Sequence, residues 1–128
     1  MKIHMNFNRI RISKETSGHL KVLKGRTGLT PNILCRIALC FSLNSPQIPN
    51  TVTYDEDGLE FNRFTLLGEW DNLFIALIKQ RCVQDGLDPE KDLITQFKAH
   101  LNNGISLIYP RVKYLGDFQN LLPVIGAR

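Results

Sequence analysis

The chain lacks the features that mark several classes of protein. Its three cysteines form no C-x-x-C pair, so neither a disulfide framework nor a zinc site is expected. The longest uncharged apolar run, residues 37–43, is far shorter than the ~20 residues of a membrane-spanning helix. The N-terminal residues are not followed by a signal-peptide core. We therefore predict a cytoplasmic protein with no membrane partner.

Motifs of common catalytic and cofactor-binding sites are also missing. The sequence contains no H-E-x-x-H motif, no P-loop, no G-x-G-x-x-G turn and no nucleophile elbow. His4, His19 and His100 lie far apart, and we interpret each as a surface or structural residue. The carboxylates of residues 55–60 lack the spacing of a calcium loop. A non-catalytic protein with no cofactor and no metal site is predicted.

Positive charge is concentrated near the N-terminus. Residues 1–36 hold eight Lys and Arg against one Glu, a net charge of about +7, although the whole chain carries only +4. A basic stretch confined to one segment is typical of a surface that contacts nucleic acid. The predicted DNA-binding residues are the cations of this segment other than Lys2: Arg9, Arg11, Lys14, Lys21, Lys24, Arg26 and Arg36.

The pattern of apolar residues predicts a mainly α fold, in one small domain of about four helices with a short N-terminal extended segment and a minor β-hairpin. Ser13 and Gly28 bound the first predicted helix, and Thr30 with Pro31 opens the second. Asp88 with Pro89 opens the fourth predicted helix, which ends before Gly104. The predicted parts of the single domain 1–128 are a basic strand-helix-helix segment (1–43), an acidic hairpin (51–62), a helical pair (69–104) and a packed tail (105–128).

The first predicted helix is amphipathic. At about 100° per residue, Lys14, Lys21 and Lys24 share one side with Ser17, Gly18 and Gly25. The opposite side carries residues suited to the core: Thr16, Leu20, Leu23 and Thr27. Small residues beside lysines let a phosphate backbone come close, so this face is a candidate DNA contact. A solvated charged face is the other interpretation.

Glycines on this face also suit an interface between subunits, because they let another backbone come close. The second predicted helix is apolar on almost all sides, and a small domain buries such a helix most readily by self-association. We therefore predict a symmetric homo-oligomer whose interface includes Gly25, Gly28, Ile33, Ile37 and Phe41.

Strand, helix, tight turn, helix is also the order of a ribbon-helix-helix half, in which two chains pair strands and alternate strand residues face bases. Arg9 and Arg11 share the phase opposite Ile10 and Ile12. No Asn or Gln alternates with these arginines, which favours phosphate contact over base reading. A repressor that reads operator DNA is one alternative function, and an assembly adaptor that docks an acidic protein is another.

The run Leu-Lys-Gly-Arg-Thr-Gly-Leu-Thr-Pro-Asn-Ile of residues 23–33, with Cys35-Arg36 after it, resembles the DndE family of DNA sulfur-modification proteins. The likeness extends through residues 100–104 and so covers most of the chain. It implies a small, mainly helical, non-catalytic member of the machinery that replaces a non-bridging phosphate oxygen of DNA with sulfur.

The same resemblance implies partners and contacts. Other sulfur-modification subunits would do the chemistry, and the protein would assemble as a homotetramer. Double-stranded DNA would be bound, with nicked duplex as the preferred form. Surface lysines are the implied contacts, and in this sequence they fall on Lys14, Lys21 and Lys24.

Overall fold

Helices make up most of residues 7–51 and 54–121, the part of the chain that the structure, a computed structural model, describes. The elements follow in the order β1 (Arg9–Arg11), α1 (Lys14–Thr27), α2 (Pro31–Asn44), β2 (Glu60–Asn62), α3 (Arg63–Leu67), α4 (Asp71–Gln84), α5 (Leu93–Ile108) and α6 (Asp117–Asn120), with a 3-10 turn at Gly68–Trp70. The predicted mainly α fold with a small sheet is confirmed.

Local capping signals set the ends of the first two helices. Ser13 Oγ accepts a hydrogen bond from the backbone N–H of Thr16 at 3.0 Å, which satisfies one of the free donors at the start of α1. Gly28 ends the helix with a φ of 78°, a left-handed conformation that favours glycine. Thr30 caps α2, and Pro31 occupies its first turn. Both helices lie where the sequence predicts them.

The small sheet differs from the predicted hairpin in its pairing. β2 lies within residues 51–62, but its antiparallel partner is β1, with Arg11 opposite Glu60. The ladder continues beyond the strands, since the backbone N–H of Ile12 donates to Leu59 O at 3.0 Å. Residues 52 and 53 of the expected first strand lie outside the described residues. Pairing with β1 is favoured because it fixes a strand whose apolar side belongs to the core.

α2 and α5 cross at the centre of the core. Gly104 of α5 lies against the backbone of Ala38, so closely that a Cβ at position 104 would overlap with the Ala38 carbonyl oxygen. The core cluster that includes these two helices contains fully buried side chains from each of the helices α1 to α5: Leu20, Leu23, Leu34, Leu39, Leu66, Leu67, Ile78, Phe97, Leu101 and Ile105 belong to it. The helix predicted to end before Gly104 therefore continues to Ile108, because the glycine is needed for the crossing and does not end the helix.

The start of α5 also differs from the sequence prediction. Asp88 was expected to cap a helix that begins at Pro89. Its Oδ1 atom does accept hydrogen bonds from the backbone N–H groups of Glu90 and Lys91, at 2.8 and 3.0 Å. These bonds close an isolated turn, and α5 begins only at Leu93.

A buried polar cluster lies between α2 and α5. His100 Nδ1 is 2.7 Å from Ser42 Oγ, which also accepts a hydrogen bond from Asn103 Nδ2 at 2.9 Å. Burial and the nearby charge of Arg81 lower the pKa of His100 to about 4. A serine and histidine this close resemble a nucleophile and its base. Both side chains are fully buried in the core, however, where no substrate reaches them.

Acid is expected to destabilise the fold through His100. The unfolded side chain binds a proton near its ordinary pKa of 6.5, whereas the folded one does so only near pH 4. The contribution of neutral His100 to the free energy of unfolding is therefore fully present above about pH 6.5. It is lost as the pH is lowered towards 4, and the loss amounts to about 3 kcal/mol. Urea unfolding of the wild type and of His100→Gln across this interval measures the effect. The variant should lose less stability than the wild type, and equal losses would contradict the assignment.

Candidate nucleic-acid interface

The outer face of α1, defined by Lys14, Gly18, Lys21, Lys24 and Gly25, is exposed at each of these residues. Ser17, on the same side, is half-buried, and its Oγ accepts a hydrogen bond from the backbone N–H of Leu59 at 2.6 Å. A Cβ placed at either glycine would meet nothing within 4 Å, so the helix surface between the lysines is open. Within residues 7–51 and 54–121, the ammonium groups of Lys21 and Lys24 form no ion pair. The C-terminal half of this face therefore offers two uncompensated positive charges beside accessible backbone.

An acidic loop, residues 55–60, covers the N-terminal end of α1. Asp55 Oδ1 accepts hydrogen bonds from the backbone N–H groups of Asp57 and Lys14, both at 2.9 Å. These bonds hold the pKa of the Asp55 carboxyl below its usual value. A helix N-terminus attracts anions, and here the carboxylate of the chain itself occupies that position. A phosphate is therefore expected nearer the other end of the outer face.

Arg9 and Arg11 point outward from β1, but they share a carboxylate. Arg9 Nη1 lies 2.7 Å from Glu60 Oε2, and Arg11 Nε lies 3.2 Å from Glu60 Oε1. The hydrogen bond from Arg9, with the charge of Arg11, holds the pKa of Glu60 below its usual value. The two arginine side chains remain 74% and 50% exposed. They are accessible cations whose charge is partly compensated.

Arg26 and Arg36 are used inside the molecule. Arg26 Nη1 donates to the carbonyl oxygens of Tyr109 and Val112, at 3.2 and 3.3 Å. Arg36 Nε donates to Leu66 O at 2.7 Å, near the end of α3. Both guanidinium groups are directed at carbonyl groups, and their role as DNA contacts stays a prediction. Helical spacing already indicates that Arg26 lies off the lysine face, because it is about 100° further around α1 than Gly25.

The acidic loop finds its basic partners within the same chain. Glu60 binds Arg9 and Arg11, and Glu56 pairs with Lys98 of α5. The sequence alone leaves open whether water, a neighbouring subunit or another protein relieves the repulsion among these carboxylates. The ion pairs of Glu60 could not be predicted, because no local pattern indicates that β2 lies beside β1, a strand about 50 residues earlier in the chain.

A second surface, formed by α2 and α4, is apolar. Ile33 is 41% exposed. Ile37 and Cys40 line an open groove of about 350 Å³ together with Trp70 and Leu73. Cys40 is exposed in this groove, whereas Cys35 and Cys82 are buried. This groove leaves one side of a nearly all-apolar helix uncovered in the single chain.

The residues predicted for an oligomer interface belong to α1, to the turn after it and to α2. Gly25 belongs to the outer face of α1, and Gly28 follows it at the exposed end of that helix. Ile33 and Ile37 lie on the apolar surface of α2. Phe41 is half-buried against the core and lines another depression with the end of α5. That one interface contains all five stays a prediction.

The described ranges lack two further features, a metal-binding cluster and a membrane-spanning helix. No three His, Cys, Asp or Glu side chains gather there as a metal ion would require. No helix in the same ranges has the length and apolar character needed to cross a bilayer.

A family model and two solved structures that resemble this chain belong to the same family. A family model described as DNA sulphur modification protein DndE matches residues 9–114. The crystal structure of DndE from Escherichia coli B7A, described as involved in DNA phosphorothioation modification, is 34% identical, with a TM-score of 0.69, over 82% of this chain and 99% of that one. A DndE mutant with glycines replaced by lysine, described as involved in DNA phosphorothioation, is 32% identical, with a TM-score of 0.65, over 81% and 99%. Curated protein sequences gave no significant match.

Proposed function

Because this chain belongs to the DndE family of DNA sulphur modification proteins, we propose that it serves DNA phosphorothioation as a non-catalytic, DNA-binding accessory subunit. In this proposal it acts in the cytoplasm and contacts the backbone of double-stranded DNA, with nicked duplex as the preferred form. Other subunits of the modification system carry out the sulfur chemistry on the DNA that it holds.

The observation that carries the proposal is the pair of uncompensated lysines on the outer face of α1. Lys21 and Lys24 lie beside Gly25, where a duplex backbone can approach the helix without meeting a side chain. Lysine contacts to phosphate position a protein on DNA without reading its sequence. Lys14 is a weaker candidate, because the Asp55 carboxylate lies at its backbone N–H.

Salt dependence tests the proposal. Each phosphate that is neutralised on duplex DNA contributes a slope of about −0.9 to a plot of log K against log salt concentration. Two lysine contacts therefore predict a slope of about −1.8 or steeper. Fluorescence anisotropy of a labelled duplex at several salt concentrations measures it, and binding that does not change with salt would contradict the proposal.

The repressor alternative has less support from the fold. A ribbon-helix-helix protein pairs its first strand with the same strand of a second chain. Here β1 pairs with β2 of its own chain, and Glu60 binds both outward arginines. Competition with unlabelled DNA separates the two functions. A repressor should prefer one sequence by about 10³-fold or more, whereas a backbone reader should bind different sequences alike.

The adaptor alternative makes a different prediction in the same assay. An acidic partner protein would occupy the lysines of the α1 outer face, and DNA would then fail to compete for them. Competition by DNA at this face is the result that the accessory-subunit proposal predicts.

Self-association is part of the proposal, and the apolar surface of α2 and α4 supports it. Ile33, Ile37, Trp70 and Leu73 would be buried between copies of the chain. We propose a homotetramer, and light scattering of the free protein measures its mass. A monomer at micromolar concentration would contradict this part of the proposal and leave the DNA contact standing.

A further inference from the structure

We propose that Glu60 is an internal competitor of DNA phosphate, because its carboxylate fills an anion-binding site that Arg9 and Arg11 would otherwise offer to the DNA backbone. This inference rests on the proposed function. Besides the outer face of α1, it gives the protein a second DNA-contacting surface, formed by Arg9 and Arg11. Glu60 limits phosphate binding at that second surface.

The geometry is that of a two-pronged anion site. Arg11 lies directly opposite Glu60 in the strand ladder, and Arg9 reaches the same side chain from two residues away. Each carboxylate oxygen meets a different guanidinium group, at 2.7 and 3.2 Å. A phosphodiester also presents two non-bridging oxygens, and arginine binds phosphate and carboxylate with the same N–H donors. The position of Glu60 therefore marks where a phosphate would be held.

Exposure makes the exchange feasible. The Glu60 side chain is 31% exposed, and both arginines are more exposed still. Ion pairs that face solvent contribute little to stability, so an incoming phosphate can displace the carboxylate. Glu60 cannot move far away, however, because β2 is fixed in register with β1. Its negative charge stays beside the site and weakens phosphate binding there.

The other ion pairs of the described residues have different roles. Arg63 and Asp71 are 14% exposed and form a two-bond pair that links the start of α3 to α4. Glu56 binds Lys98 of α5, outside the basic N-terminal segment. In the part of the chain that the structure describes, Glu60 is the carboxylate that forms ion pairs with cations of that segment.

Glu60→Gln tests the inference, since glutamine keeps the size of the side chain and removes its charge. Each arginine that gains a phosphate should tighten duplex binding about eightfold at about 0.1 M salt and steepen the salt slope by about 0.9. Melting temperature and circular dichroism should stay close to those of the wild type, because backbone hydrogen bonds hold the two strands together.

Matched variants separate this effect from a general change of net charge. Glu56→Gln frees a lysine of α5, and Glu15→Gln removes an exposed carboxylate of α1 that forms no ion pair within the described residues. Both should leave the salt slope unchanged. Adding Arg9→Ala and Arg11→Ala to Glu60→Gln should abolish the gain. A gain for Glu60→Gln no larger than that of Glu56→Gln would overturn the inference.

The wild type distinguishes this failure from failure of the proposed function. Salt-dependent binding by the wild type with no gain for Glu60→Gln refutes only the role of Glu60. If neither protein binds DNA, both proposals fall. Should Glu60→Gln fold poorly, Arg9→Ala with Arg11→Ala in the wild type gives a second measurement. Replacing both arginines should change the salt slope less in the wild type, where Glu60 competes, than in a Glu60→Ala background, where it does not. An equal change in the two backgrounds would refute the competition.

Discussion

Gly104→Ala is expected to lower the free energy of unfolding by about 2 kcal/mol or more, although alanine is the better helix former. The added Cβ would overlap with the Ala38 carbonyl oxygen and lie 2.9 Å from the Ala38 Cβ atom, at the crossing of α2 and α5. The two helices must then separate, which loosens the buried side chains around them. Thermal unfolding measures the loss, which corresponds to a melting temperature lower by about 8 °C for a chain of this length.

Gly18→Ala is the matched control for this substitution. Gly18 lies inside α1, and a Cβ there would meet nothing within 4 Å. The same chemical change should therefore stabilise the protein, by up to about 1 kcal/mol. If Gly104→Ala were as stable as the wild type, the close crossing of α2 and α5 would be wrong.

Lys21→Ala combined with Lys24→Ala is expected to weaken duplex binding about 60-fold at about 0.1 M salt. Removing two phosphate contacts should also flatten the salt slope by about 1.8, because each contact contributes about 0.9. Both side chains are exposed and unpaired within the described residues, so the fold should not change. Binding titrations of the double variant at several salt concentrations measure both quantities.

A second double variant controls for the loss of two positive charges. Lys79→Ala with Lys91→Ala removes the same charge from α4 and from the turn before α5. That protein should keep nearly the slope of the wild type. If the two double variants weakened binding equally, the contact would follow from net charge and not from the outer face of α1.

Local signals were sufficient for α1 and α2. Ser13, Gly28, Thr30 and Pro31 act on the backbone next to them, so their effect can be predicted without knowledge of the rest of the fold. The buried side of α1 follows from helical spacing in the same way. The exposure of Lys21 and the other outer-face residues could therefore be predicted from sequence alone.

Long-range pairing accounts for most of what the sequence did not reveal. The partner of β2 lies about 50 residues earlier in the chain, and the turn signals near Gly58 say nothing about it. In the sequence, Gly104 is typical of the residue that ends a helix. Its role at the helix crossing depends on the backbone of Ala38, which lies beside it only in the folded chain. Arg26 is bound by carbonyl groups more than 80 residues away, which separates it from the lysines of the same helix.

The most direct test of the account compares nicked with intact duplex of the same sequence. A nicked duplex bends more easily than an intact one because one strand is interrupted, and we propose that this makes it the better fit to the protein. The account predicts that nicked duplex competes better than intact duplex for the wild-type protein, with several sequences behaving alike and with affinity falling steeply with salt. Equal competition by the two forms would contradict the nick preference. No salt-dependent binding to either form would contradict the DNA-binding function itself.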